Sequence, residues 1–129
     1  AEGVLGIGDH GSTFGGGPVV AAAALAGLDL LEAPGLFDQV EELGQRLEVW
    51  LRGLVDAGVG SEVRRLGLMA AVDLRAGEAK QVASDALAAG ILLNATSDTT
   101  LRFLPPLNVT PEEIDRVGGF LRERLGGAL

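Results

Sequence analysis

The sequence predicts an α+β fold: a mostly antiparallel sheet with helices on one face, preceded by a glycine-rich loop and a long buried helix. Three observations lead there. A proline-led, alanine-rich stretch from Pro18 to about Glu32 is apolar nearly all round, the mark of a helix enclosed by other elements. Beyond it, segments with helical and strand spacing follow in the order helix, strand, strand, helix, strand, strand, helix. The last of these helices carries an explicit start signal in Thr110-Pro111-Glu112-Glu113.

Residues 1–17 read as loop, with Val4-Leu5 and Ile7 suggesting a short extended piece. Pro18 occupies the first helical position, where a missing N–H costs nothing. The helix behind it is rich in small residues, among them Ala21 to Ala24, and needs a large surface to bury against. Pro34-Gly35 breaks it. A second helix starts near Leu36, with Val40, Leu43, Leu47, Trp50, Leu51 and Leu54 at helical spacing. Glu41, Glu42, Gln45, Arg46 and Glu48 fill its other side as a solvated face, Trp50 reads as a core or domain-contact residue, and Gly58 and Gly60 end it. Glu62–Leu66 and Leu68–Leu74 read as strands; in the second, Leu68, Ala70, Val72 and Leu74 alternate with Met69, Ala71 and Asp73. A third helix, about Glu78–Ala89, turns Val82, Ala86 and Leu87 inward and stops at Gly90. Ile91–Asn94 and Thr99–Phe103 form a further strand pair closed by Pro105-Pro106. In the last helix, Thr110 caps, Pro111 takes the first position and Glu113 completes a capping box, ahead of a stripe of Ile114, Val117, Leu121 and Leu125.

Composition narrows the functional classes. At 129 residues the chain is long enough to bury a core. A net charge of −8 with no basic run argues against nucleic acid as a partner. With no cysteine and one histidine, His10, neither thiol catalysis nor a multi-histidine metal site can be assembled, so no metal is expected. No leader pattern stands at the start, and the longest apolar run, near Val19–Leu28, is too short to span a bilayer. The expectation is a cytoplasmic protein with no membrane partner. The chain does not begin with Met, which suggests part of a longer polypeptide.

Two stretches carry chemistry. Gly8-Asp9-His10-Gly11-Ser12-Thr13-Phe14-Gly15-Gly16-Gly17-Pro18 is a glycine-rich turn with two hydroxyls running into a helix N terminus. Glycines permit close backbone approach, and unpaired amides with the positive end of the helix dipole suit an anion. It is neither a P-loop, since no lysine follows the glycines, nor a dinucleotide fingerprint. The residues alone leave open a phosphate- or carboxylate-binding turn and a plain tight turn with a capping hydroxyl. The second stretch is Asn94-Ala95-Thr96 with Leu101-Arg102-Phe103-Leu104-Pro105-Pro106-Leu107. Arg102, between two apolar strand residues, points away from them, and its guanidinium fork matches a carboxylate in two-pronged fashion. The alternative is an arginine that ties down a local carboxylate or carbonyl.

These stretches, together with Leu30-Leu31-Glu32 and Arg65-Leu66-Gly67-Leu68-Met69 between them, resemble in order and spacing the C-terminal part of the class III (ornithine/acetylornithine-type) pyridoxal-phosphate aminotransferases. The resemblance covers essentially the whole chain and is strongest to the acetylornithine branch. It implies the small C-terminal α+β domain of a type I PLP-dependent transferase over residues 34–129, with residues 1–33 as a cofactor-phosphate loop and linking helix that belong with a large domain. It further implies pyridoxal 5'-phosphate as cofactor, amino-acid and 2-oxo-acid substrates, and a homodimer with shared active sites. By position, Thr13 would bind the cofactor phosphate in the partner subunit, Ser12 would contact substrate at that boundary, and Arg102 would grip the substrate α-carboxylate. The implied reaction passes an amino group between N-acetylornithine and 2-oxoglutarate in arginine biosynthesis. Relatives acting on ornithine, 4-aminobutyrate or a carrier-linked lysine share these motifs, and a non-catalytic α+β binding or dimerisation module is the reading from another class.

The chain departs from the family pattern in places. Gly17 stands where the family loop usually has asparagine, and Arg65 stands where its R-G-x-G-L-M motif has glycine. The one lysine, Lys80, lies outside any family motif, so the lysine that holds the cofactor is expected upstream and this stretch is expected to be inactive alone.

Overall fold

A computed structural model describes residues 6–126, which form two units divided between Leu36 and Phe37. Val4-Leu5 falls outside the described residues. Ile7 is exposed in a turn closed by Asp9 N–H to Gly6 O at 3.2 Å, not in an extended piece, because the Asp9 carboxylate also accepts the Gly6 amide at 2.6 Å and folds the chain back locally.

The first unit is this loop followed by α1 (Pro18–Leu31), with Gly17 as N-cap and Pro18 in the first turn. The helix forms where its sequence places it. Within this chain it buries none of its residues, and Val19, Leu25 and Leu30 are 83%, 62% and 72% exposed, so the large surface it needs is not supplied here. Its apolar surface has no cover within the unit. Ala33-Pro34-Gly35-Leu36 ends it as a turn, with Gly35 at φ +85° and Leu36 N–H bonded to Ala33 O.

The second unit contains all but the first residue of α2 (Leu36–Asp56), together with β1 (Gly60–Leu66), β2 (Met69–Leu74), α3 (Ala79–Ala88), β3 (Asn94–Ala95), β4 (Thr100–Phe103) and α4 (Pro111–Arg124). The four strands make one antiparallel sheet in the order β1-β2-β4-β3. One face, with Ala70, Val72, Leu74, Leu101 and Phe103, is buried with Leu51, Leu54, Val82 and Leu121 of the helices. This is the α+β arrangement the element order predicts.

Local signals explain most boundaries. Gly58, at φ +76°, ends α2: its N–H bonds Val55 O and Val59 N–H bonds Leu54 O, a Schellman closure. Gly60 does not share that task. It is the buried first residue of β1, where a Cβ would lie 3.0 Å from Val55 Cγ2. Gly90 closes α3 in the same way, and here the expected strand Ile91–Asn94 shrinks to Asn94–Ala95. The Ile91 amide is taken by Ala86 O at 2.8 Å and its side chain turns into the core, so pairing with β4 begins only at Asn94. Leu87 is 63% exposed rather than inward; Ala79, Val82 and Ala86 fill the buried stripe, and Leu87 is turned about 100° from Ala86. At α4 the capping box is complete: Thr110 Oγ1 accepts from Glu113 N–H at 3.2 Å and Glu113 Oε2 accepts from Thr110 N–H at 2.8 Å.

The polar side of α2 is more than a solvated face. Arg65, on the helix side of β1, donates from Nε to Glu48 at 2.8 Å and from Nη2 and Nη1 to Glu41 at 2.7 and 3.0 Å. Gly44 makes this approach possible, since a Cβ there would lie 2.4 Å from Gly67 O and 2.7 Å from Arg65 Nη1. Arg46 pairs with Asp115 of α4, which also accepts Trp50 Nε1–H at 3.0 Å. Trp50 is thus a contact between α2 and α4 inside the unit, lying against Gly118 with Arg122 over its ring at 5.4 Å. Glu41 and Asp115 are each held down to a pKa of about 2, chiefly by their arginine partners.

Candidate functional site

The two candidate stretches fall in different units. In the loop, Gly8 and Gly16 take φ +94° and +76°, conformations that favour glycine, and bring the chain round into α1. Ser12 Oγ accepts the Gly15 amide at 2.8 Å, so its oxygen braces the turn while its O–H proton stays available to donate. Thr13 is exposed, and among the described residues its hydroxyl has no hydrogen-bond partner. The first bond of α1 runs from Ala21 N–H to Gly17 O at 2.9 Å, leaving the amides of Val19 and Val20 without an intrahelical acceptor, and no side chain caps them. Hydroxyl and amide donors therefore gather on one uncovered turn, the chemistry an anionic oxygen cluster requires.

Arg102 is exposed at the middle of β4, on the face of the sheet opposite the helices. Its flanking residues Leu101 and Phe103 are buried on the other face, which fixes the direction in which the guanidinium leaves the strand. It stands level with Ala71 on β2, Arg64 beyond that on β1, and Asn94 on β3. Most basic side chains here are engaged: Arg46, Arg52, Arg64, Arg65, Arg124 and Lys80 in ion pairs, Arg116 on Ala89 O, Arg122 over Trp50. Among the described residues the side chains of Arg102 and Arg75 have neither an ion pair nor a hydrogen bond; of the two, Arg102 stands within a strand. Among these residues Arg102 ties down no local carboxylate or carbonyl.

The surroundings of Arg102 hold polar residues with no motif of their own. Asp73 and Thr100 lie opposite each other on the same sheet face. Thr100 Oγ1 donates to Asp73 Oδ1 at 2.7 Å, and Arg64 donates to both carboxylate oxygens at 2.6 and 3.0 Å. These contacts hold the Asp73 carboxyl below the usual range, the arginine foremost. The signal was available: Asp73 and Arg64 occupy strand positions out of phase with the buried ones. Lys80 is occupied by Asp98 at 2.5 Å, and no group of acidic or histidine side chains among the described residues is arranged to hold a metal.

Comparison with known proteins identifies the family. A family model described as aminotransferase class-III matches residues 2–125. Acetylornithine aminotransferase 1 of Bordetella pertussis is 40% identical over 118 residues, which are 91% of this chain and 30% of that protein. Acetylornithine aminotransferase of Methanocaldococcus jannaschii is 42% identical over 92% of this chain and 30% of its own length. Ornithine aminotransferase of Staphylococcus carnosus is 44% identical over 84% and 27%. Among solved structures, Plasmodium falciparum ornithine delta-aminotransferase superposes with a TM-score of 0.80 at 29% identity, covering 95% of this chain and 32% of that one. Acetylornithine aminotransferase from Elizabethkingia anophelis gives 0.79 at 27% identity, covering 94% and 31%. The chain spans about 30% of the length of the curated relatives it matches. Matched by the family model over nearly its whole length, this chain belongs to the class III aminotransferase family.

Proposed function

We propose that this chain supplies the cofactor-phosphate loop and the substrate-carboxylate arginine of a pyridoxal-phosphate aminotransferase acting on N-acetylornithine and 2-oxoglutarate in arginine biosynthesis. The observation that carries the reading is Arg102: an exposed guanidinium fork on the helix-free sheet face, with no internal partner among the described residues. Its geometry suits a carboxylate, the group both substrates share.

Class III aminotransferases use pyridoxal 5'-phosphate, and the donor set of the loop fits its phosphate. Thr13 would donate its hydroxyl, with the free amides at the start of α1 beside it, and Ser12 would turn its remaining O–H toward substrate. Bound, the cofactor supplies the electron sink that lets an amino group move between donor and acceptor. What these residues do is bind and orient; none of them moves a proton. Lys80 is the only lysine and is paired with Asp98, so the lysine that holds the cofactor lies elsewhere in the complete protein and this stretch is inactive alone. Residues 1–33 then belong with a large domain, residues 34–129 form the small one, and Thr13 reaches a site in the partner subunit of a cytoplasmic homodimer. Ornithine is the competing amino donor, supported by the 44% identity of the Staphylococcus carnosus relative.

The test uses the complete protein. Thr13→Ala should weaken binding of pyridoxal 5'-phosphate, followed by absorbance titration. Arg102→Ala should raise the apparent KM for amino donor and oxo acid together while leaving cofactor affinity in place. Unchanged cofactor affinity in the first variant, or unchanged KM values in the second, would sink the corresponding role. Turnover with N-acetylornithine against ornithine decides the donor.

A further inference from the structure

On the helix-free face of the sheet, Arg64, Ala71 and Arg102 stand level across β1, β2 and β4. Asp73 lies two residues along β2 from Ala71, so it shares that face and is diagonal to both arginines at the same offset. Diagonal neighbours on one sheet face are about 7–8 Å apart, within reach of long side chains. Asp73 is the only acidic residue on β2, β3 and β4. Among the described residues it is therefore the carboxylate best placed to occupy Arg102.

The structure resolves this competition in one direction. Arg64 takes both Asp73 oxygens, through Nη1 at 2.6 Å and Nη2 at 3.0 Å. Thr100 donates to the same carboxylate at 2.7 Å from the β4 side, and Glu62 at 3.1 Å steadies the guanidinium of Arg64. Ala71, between the two arginines, offers only a methyl, and Asn94 on the far side of Arg102 is uncharged. Each arrangement leaves Arg102 open.

We propose that Arg64 is a positioning residue for Arg102: by holding Asp73 in a two-pronged pair, it denies Arg102 this carboxylate and keeps its guanidinium open for the carboxylate of substrate. The inference rests on the reading of Arg102 as the carboxylate-binding residue. Without Arg64, Asp73 pairs with Arg102. Exposed pairs of this kind are populated only a few-fold over their open forms. Apparent affinity falls by the fraction of Arg102 left open, about three- to sixfold.

The experiment titrates the complete, cofactor-loaded protein with maleate, an unreactive dicarboxylate, and reads its Kd. Arg64→Gln is expected to raise that Kd about three- to sixfold. Adding Asp73→Asn to it is expected to bring the Kd back to the parent value, because the competitor is gone although the Arg64–Asp73 pair stays broken. A purely structural role for the pair predicts no such recovery. An unchanged Kd in Arg64→Gln, or a double variant as weak as the single one, overturns the proposal. If Arg64→Gln does not fold, Arg64→Met, which keeps an apolar stem without the charge, is read in the same way with and without Asp73→Asn. Arg102→Ala, run alongside, separates the two levels: if it leaves maleate affinity intact, the carboxylate reading itself falls, whereas a loss there with no effect of Arg64→Gln removes only the positioning role.

Discussion

Adding one methyl group at Gly118 tests how α2 and α4 are joined. A Cβ built there would lie 2.1 Å from Trp50 Cδ2, 2.4 Å from Cγ and 2.6 Å from Cε2. Ordinary carbon contacts lie near 3.5–4.0 Å, so the indole must retreat by more than 1 Å. It is not free to do so, because its Nε1–H is bonded to Asp115 at 3.0 Å and Arg122 covers its ring at 5.4 Å. Overpacking of this kind costs about 1–3 kcal/mol, and a ring constrained on two sides belongs at the upper end. Helix propensity returns about 1 kcal/mol on replacing glycine by alanine, leaving a net loss of about 2 kcal/mol. Gly119, the next residue of the same helix, has nothing within 4 Å of its added Cβ. Gly119→Ala should therefore stabilise by up to about 1 kcal/mol. Urea unfolding followed by the fluorescence of Trp50, the only tryptophan, measures both. The two variants should differ by about 3 kcal/mol, with a blue or red shift of the native emission in Gly118→Ala alone. Equal stabilities would refute the packing argument.

Three further outcomes are expected. Thr110→Ala removes one half of the capping box and should cost about 1 kcal/mol in the same unfolding assay. Glu41 and Asp115 titrate near 2 when folded, below their ordinary values of 4.5 and 3.8, so their contribution is full above about pH 4.5 and fades as pH falls toward 2. Stability measured from pH 5 to pH 2 should accordingly fall less steeply in Glu41→Gln and in Asp115→Asn than in the parent. Ser12→Ala takes away the oxygen that braces the Gly15 amide and should weaken cofactor binding by the complete protein, but by less than Thr13→Ala does; a larger loss in Ser12→Ala would reverse their assigned roles.

Much of this protein was legible in the residues because its signals are local. Pro18, Pro34-Gly35, Gly58, Gly90 and the Thr110–Glu113 box act through backbone torsions and amides within a turn or two, and each falls at the boundary it was read to mark. Alternation in β2 revealed its buried face for the same reason, since successive side chains must leave a strand on opposite sides. The short β3 was not legible, because only the folded chain shows that the Ile91 amide is already spent on closing α3. The same holds for Leu87, whose place just outside a buried stripe depends on which neighbours fill the core.

The sequence by itself determined the element order, the α+β class and the two stretches of family likeness, one holding Ser12 and Thr13 and the other Arg102. Tertiary structure alone decided what those side chains have to work with. Strand register placed Arg64, Asp73 and Thr100 on one face with Arg102 and let Arg64 and Thr100, not Arg102, take the carboxylate. It also sent Arg65, one residue further on, to the opposite face and onto Glu41 and Glu48 of α2. Ion pairs between residues far apart in the chain have no local signature: they depend on which side chains the fold brings within a few ångströms, and a one-residue shift in register would exchange the faces of Arg64 and Arg65.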